Sequence, residues 1–220
     1  MNASITERAK KYFKRAGDNM EVHFRLTDTE IKKLISENFI ILYDTREQAN
    51  KNQHILDYFD KKKIKYKRQL INEGDYTAII TKCEKMGIYR DLYFPIGVER
   101  KNSVDELAGN VGEKTDTHDD IRFIREMRRA KQNGIKMTLL VEDANGLKKI
   151  KTGDYRSLYE AKAFTARLRS IQDQFLVNTV FTNRNDSGEE IYGILYYAVR
   201  NFLKEGYFDI SPEESDLVKT

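Results

Sequence analysis

Asp75, Glu99 and Lys101 stand out for the chemistry their types and spacing allow. The stretch Val98-Glu99-Arg100-Lys101-Asn102-Ser103-Val104-Asp105 follows Gly74-Asp75-Tyr76 across a span expected to form a β-hairpin. Two acids and a lysine on adjoining strands can hold Mg²⁺ against a phosphodiester and set a water beside it. Mg²⁺ takes hard oxygen ligands, and one or two carboxylates plus the substrate phosphate suffice. A neighbouring lysine can orient or deprotonate the water and neutralise charge that builds on phosphorus. Asp75 and Glu99 are therefore the expected metal ligands and Lys101 the catalytic partner. Asp44, in the run Asp44-Thr45-Arg46-Glu47 directly after apolar Phe39-Ile40-Ile41-Leu42-Tyr43, adds a further carboxylate at a strand end.

The elements that must position these groups read as alternating strands and helices, hence an α/β domain around a mixed sheet. Strands are expected at 39–43, 64–70, 75–81, 91–99, 136–142 and 176–182, and helices at about 50–62, 103–111, 119–132, 156–173 and 188–205. Gly87 lies between the strands 75–81 and 91–99, which makes them antiparallel neighbours joined by a loop. That pairing brings Asp75 and Glu99 to the same end of the sheet. Alternation along the second strand puts Glu99 and Lys101 on one face and Arg100 on the other. Asp44 can join them where open α/β sheets commonly bind ligands.

An isolated Glu-x-Lys is equally a charged surface edge, since charged residues make up 34% of the chain. The combination is more specific. Gly-Asp-Tyr, Val-Glu-Arg-Lys with Asp105 following, and Asp-Thr-Arg-Glu each fall at a strand boundary. At these residues the chain resembles the XPF family of structure-specific endonucleases, whose nuclease domain carries a G-D…E-R-K-x-x-x-D signature. Glu99, Arg100, Lys101 and Asp105 match it with the required spacing, Gly74-Asp75 matches its first part, and Asp44, Arg46 and Glu47 match the upstream acidic motif.

The resemblance runs from about Phe39 to Phe202. It implies a restriction-endonuclease-like core that cuts DNA at branches, flaps or forks with Mg²⁺ or Mn²⁺, often as a dimer. It also implies that Asp75 and Glu99 bind metal with Asp44 assisting, that Lys101 serves catalysis, and that Arg100 and Asp105 complete the electrostatic frame. Family members commonly carry tandem helix-hairpin-helix motifs after the nuclease domain. The chain has no room for them before Thr220, so a partner protein is expected to supply the duplex grip. The insertion 81–90 lengthens the link between Asp75 and Glu99. Two other readings keep the same fold: a catalytically idle DNA-binding scaffold, and a Holliday-junction resolvase.

Composition sets the frame. The 220 residues suit one domain at 38–206 with an N-terminal helical appendage at 1–37, where Thr27 and Glu30 form a capping box, and an acidic tail at 207–220. Lys and Arg number 39 against 35 Asp and Glu, a net charge of +4, too small to identify a nucleic-acid partner by itself. Distribution says more: Lys63 lies in a lysine-rich run, and Arg122, Arg125 and Arg129 share a helix whose buried stripe is Ile121, Ile124 and Met127. These four basic residues, together with Arg46, are candidate DNA contacts.

The lone Cys83 excludes an internal disulfide, and no Cys/His cluster offers a zinc site. No apolar run reaches the roughly 20 residues that span a bilayer, and no signal-peptide pattern opens the chain, so an intracellular, cytoplasmic location is expected, nucleoid-associated in a bacterial or phage setting. His118, Asp119 and Asp120 could be read as a metal cluster, but a cap for the next helix is the expected role of Thr117 or Asp119. The helix 188–205 packs through Ile191, Ile194, Leu195, Ala198 and Phe202, and its Tyr192, Tyr196 and Tyr197 suggest a homodimer contact.

Overall fold

A computed structural model describes residues 26–47, 49–112 and 121–206. Strands β1 (Phe39–Tyr43), β2 (Tyr66–Arg68), β3 (Tyr76–Ile80), β4 (Leu92–Tyr93), β5 (Ile96–Lys101), β6 (Lys136–Val141) and β7 (Leu176–Phe181) form one mixed sheet in the order β2-β1-β3-β5-β6-β7, with β4 also pairing β3. The helices are α1 (Asp28–Asn38), α2 (Ala49–Lys62), α3 (Val104–Gly112), α4 (Arg122–Gln132), α5 (Gly146–Thr152), α6 (Ala161–Phe175) and α7 (Ser187–Glu205). The expected α/β architecture with a central mixed sheet is thereby confirmed. Among the described residues, no helix is long and apolar enough to cross a membrane.

The packing separates into two compact units. The larger comprises residues 41–77 and 95–195. In it β5 and β6 pair in parallel from Ile96↔Lys136 to Lys101↔Val141, and β6 pairs in parallel with β7. Parallel strands demand long crossovers, and here these are helices whose apolar sides cover the sheet. Leu107, Phe123, Met127, Leu139, Phe164 and Leu168 form the centre of that core, each at most 3% exposed. Helix α4 shows the logic best: Phe123, Ile124, Met127 and Ala130 are buried, while Arg122, Arg128 and Arg129 face out.

The smaller unit comprises 1–40, 78–94 and 196–220. Its described part holds α1, opened by the capping box in which the Glu30 amide donates to Thr27 Oγ1 at 3.3 Å and the Thr27 amide donates to Glu30 Oε2 at 2.8 Å. Asn38 at the end of α1 donates through Nδ2 to Thr81 Oγ1 at 3.1 Å, and Lys204 Nζ reaches Asp28 at 3.0 Å. Residues 1–25 of the expected appendage, the acidic tail 207–220 and the His118 segment lie outside the described residues.

Several expectations need correction. The single strand 91–99 is two strands, broken at Phe94-Pro95 because proline has no N–H for the ladder; the Pro95 carbonyl accepts from the Lys136 amide at 2.8 Å instead. The second of them continues to Lys101, so the whole Glu-Arg-Lys run is strand. Helix α5 was not expected, because seven residues opening on Asn145-Gly146 look like a turn. Helix α6 starts at Ala161 rather than 156, with the Glu160 carboxylate capping the amides of Lys162 and Ala163 at 2.9 and 2.8 Å. The buried stripe of α7 is Ile191, Leu195, Val199 and Leu203.

Two glycines, Gly97 in β5 and Gly74 just before β3, leave room for the Met137 side chain. A Cβ on Gly97 would lie 2.6 Å from Met137 Sδ. One on Gly74 would lie 2.8 Å from Met137 Cε and 3.2 Å from the Val98 carbonyl oxygen, and Gly74 has a φ of +81° that L side chains disfavour. Gly74→Ala is therefore expected to destabilise the fold by about 1 to 3 kcal/mol. Gly109→Ala, on α3 with nothing within 4 Å of the added methyl, is expected to stabilise by up to about 1 kcal/mol. Urea denaturation of both variants checks the pair of signs.

Candidate active site

The site is built on the strand at the middle of the sheet. β5 lies between β3 and β6, and all six of its residues are buried, including Glu99 at 4%, Arg100 at 5% and Lys101 at 8% exposure. A charged edge is ruled out. Pleating separates the three side chains as expected: Lys101 Nζ donates to Glu99 Oε1 at 2.6 Å, whereas the Arg100 guanidinium pairs elsewhere, with Glu47 at 2.8 Å and Glu142 at 3.3 Å. Lys101 Nζ also sits 5.1 Å from the centroid of the Phe123 ring, a favourable place for a cation.

Asp75 is fixed through its backbone from both sides. Its amide donates to the Val98 carbonyl at 2.9 Å, and its carbonyl accepts from the Asp44 amide at 2.9 Å. The pairing Tyr76↔Val98 sets it beside Glu99, and Asp75 Oδ2 accepts from the Arg100 amide at 2.7 Å. Asp75, Glu99 and Lys101 line one cavity of about 310 Å³. Its walls also carry the carboxylates of Glu47, Glu106 and Glu126 and the cations of Arg46, Lys51, Arg100 and Arg122.

Burial, and then like charge, dominates the electrostatics of the carboxylates in this cavity. Desolvation, then the charges of Glu99 and Glu47, push the Asp75 carboxyl well above the usual carboxylate range. Burial raises Glu99 too, against the pull of Lys101 and with the push of Glu126. Burial alone would lower the Lys101 ammonium, but Glu99 and Asp75 outweigh it and hold it above its ordinary value. Glu99 Oε2 is buried without a hydrogen-bond partner.

No three His, Cys, Asp or Glu side chains converge as a closed metal-ligand set among the described residues. A hydrated Mg²⁺ does not require one, because it keeps several waters. Two crowded carboxylates with a bare buried oxygen are a donor set that fits such an ion.

Two expected members stand elsewhere. Asp44 is 1% exposed and outside the cavity lining, because its carboxylate is taken by Arg46, whose amide donates to Oδ1 at 2.7 Å and whose Nε donates to both oxygens at 3.0 Å. Those bonds outweigh desolvation and hold the Asp44 carboxyl below its usual range. Glu47, three residues on, reaches the cavity instead. Asp105, in the first turn of α3, accepts from the Arg156 amide at 2.8 Å and lines a separate cavity with Asp143 and Asp154.

Of the basic candidates, Arg122 lines the site and Arg129 pairs with Glu73 at 3.2 Å. Arg125 is half-buried on α4, and Lys63 is exposed in the turn after α2. Sequence reasoning missed Glu106, Glu126 and Glu142. Glu126 had a readable signal, being the one acid in the helix Arg122-Phe123-Ile124-Arg125-Glu126-Met127-Arg128-Arg129. Its Oε1 accepts from the Gly74 amide at 3.2 Å, which ties α4 to the residue preceding Asp75.

A mixed sheet with acids and a lysine at the ends of its central strands is the architecture of a nuclease domain. A model of the ERCC4 domain matches residues 43–194, and the chain belongs to that family, in agreement with the XPF-family resemblance of its motifs. Among solved structures it is similar to XPF from Aeropyrum pernix, at 15% identity and a TM-score of 0.50, over 74% of this chain and 69% of that one. That likeness is one of fold. No curated protein matches the sequence.

The raised Asp75 pKa has a signed consequence. The folded state keeps the Asp75 proton to higher pH than the unfolded chain, so its contribution to stability is complete below the ordinary carboxylate range and is lost as pH rises through the folded value. In EDTA, Asp75→Asn, a mimic of the protonated acid, is expected to melt higher than the native protein at pH 8 and to lose that advantage at pH 4. Thermal melts at both pH values check the trend.

Proposed function

We propose that this domain is a divalent-metal-dependent DNA endonuclease that hydrolyses phosphodiester bonds, with branched, flap or fork DNA as substrate. The observation that carries this reading is the meeting of Asp75, Glu99 and Lys101 in one cavity at the end of the central strands. Mg²⁺ or Mn²⁺, when bound, supplies positive charge against the phosphate oxygens and acidifies water. Asp75 and Glu99 would hold the ion, the latter through its unpartnered Oε2.

Lys101 keeps its proton, so its part is to donate hydrogen bonds to the reacting water or phosphate and to offset charge in the transition state. Arg122, which lines the cavity, would contact the DNA backbone, with Arg46, whose guanidinium also holds Asp44, beside it. The second copy of a homodimer would dock along α7, where Tyr197 is 61% exposed.

Alanine at Asp75, Glu99 or Lys101 is expected to lower Mg²⁺-dependent cleavage about a hundredfold or more while circular dichroism stays native. Native-like cutting by Asp75→Ala would sink the assignment. The substrate class is tested by offering flap, fork, four-way and linear duplex DNAs with Mg²⁺. Preference for flap or fork supports the reading, and cutting of the linear duplex alone contradicts it. DNA binding without Mg²⁺ binding or cleavage would point to a scaffold subunit.

A further inference from the structure

On the face of β5 away from Lys101, the Arg100 guanidinium enters a buried cluster that the hydrolytic reading does not use. Its hub is Glu142, whose side chain is fully buried. Glu142 Oε1 lies 2.6 Å from His54 Nε2 on α2, while Oε2 lies 3.3 Å from Arg100 Nη1 and 3.1 Å from Arg184 Nη1 beyond β7. The strand register delivers it there. Lys101 pairs with Val141, and the next amide, that of Glu142, donates to the Lys101 carbonyl at 2.9 Å. Glu142 thus holds the end of the motif strand by a backbone hydrogen bond and faces Arg100 through a buried ion pair.

The other branch of the Arg100 guanidinium, Nη2, donates to Glu47 Oε2 at 2.8 Å. Glu47 stands on the turn after β1 and shares the cavity with Asp75 and Glu99, whose negative charges oppose it. Held by nothing, a carboxylate on a turn would swing away from them. The Arg100 fork supplies the compensating charge and a fixed direction.

We infer that Glu142 is a positioning residue for the candidate active site: it orients Arg100, and Arg100 in turn sets Glu47 against the metal-binding carboxylates. This rests on the nuclease reading above. Groups that orient the ligands of a metal commonly change its affinity or the enzyme's activity by about ten- to a hundredfold when replaced.

The test is a double-mutant cycle of Glu142→Gln and Glu47→Gln in the full chain, read by Mn²⁺ binding in an electron paramagnetic resonance titration and by kcat and KM on a DNA that the native protein cuts. Each single variant is expected to weaken Mn²⁺ binding and lower kcat about ten- to a hundredfold, with KM for DNA unchanged. The double variant should lose no more than the singles, because both act through one carboxylate. Glu142→Gln that lowers only the melting temperature, or a double variant whose losses multiply, overturns the inference. Should Glu142→Gln fail to fold, Glu142→Asp, which keeps the charge and withdraws it by one methylene, enters the same cycle with the same two readings. A native protein that binds no Mn²⁺ overturns the nuclease reading and this inference together; native binding that Glu142→Gln leaves intact overturns this inference alone.

Discussion

Everything at the site depends on the burial of a strand that carries Glu-Arg-Lys through the middle of the sheet. Removing each such charge from water costs several kcal/mol unless partners compensate. β5 meets that requirement on both faces. Lys101 and Glu99 neutralise one another on one side, and Arg100 lies between Glu47 and Glu142 on the other. The surrounding pieces follow from this constraint. β6 ends where Glu142 is needed, the turn after β1 brings Glu47, and α4 brings Glu126 and the Phe123 ring.

Hydrogen bonding is incomplete on both faces: Arg100 Nε and Nη1 and His54 Nδ1 on one, and Glu99 Oε2 on the other, are buried without a hydrogen-bond partner. Around Arg100, Nη2 donates to Glu47 at 2.8 Å and Nη1 lies 3.3 Å from Glu142, an ion pair without a hydrogen bond, while Arg184 Nη1 donates to Glu142 at 3.1 Å. Around Asp75 and Glu99, burial and neighbouring carboxylates raise both pKa values, and Glu99 Oε2 is bare. The two faces of β5 are linked by the backbone of Arg100, whose amide donates to Asp75.

Much of this was legible in the sequence because it follows from short-range rules. The apolar run before Asp44, the period-two separation of Glu99 and Lys101 from Arg100, and the juxtaposition of Asp75 with Glu99 need only pleating and one strand pairing. What was not legible depends on distant partners or fine geometry. Asp44 and Glu47 are both acids in one turn, and only the fork of Arg46 decides that Asp44 is consumed and Glu47 presented. Asp105 keeps its motif spacing, but the first turn of α3 aims it at the Arg156 amide. Glu126 stands out as the one acid of its helix, but its meeting with Gly74, like that of Glu142 with Arg100, spans a sequence separation that no local pattern encodes.

The central claim is that the carboxylates of Asp75 and Glu99, with the bare Glu99 Oε2, form a metal site. Anomalous diffraction at the manganese edge from crystals soaked in Mn²⁺ tests it most directly. The account predicts a peak within coordinating distance of an Asp75 carboxylate oxygen and Glu99 Oε2. No peak there, or a peak only among Asp105, Asp143 and Asp154, would contradict it.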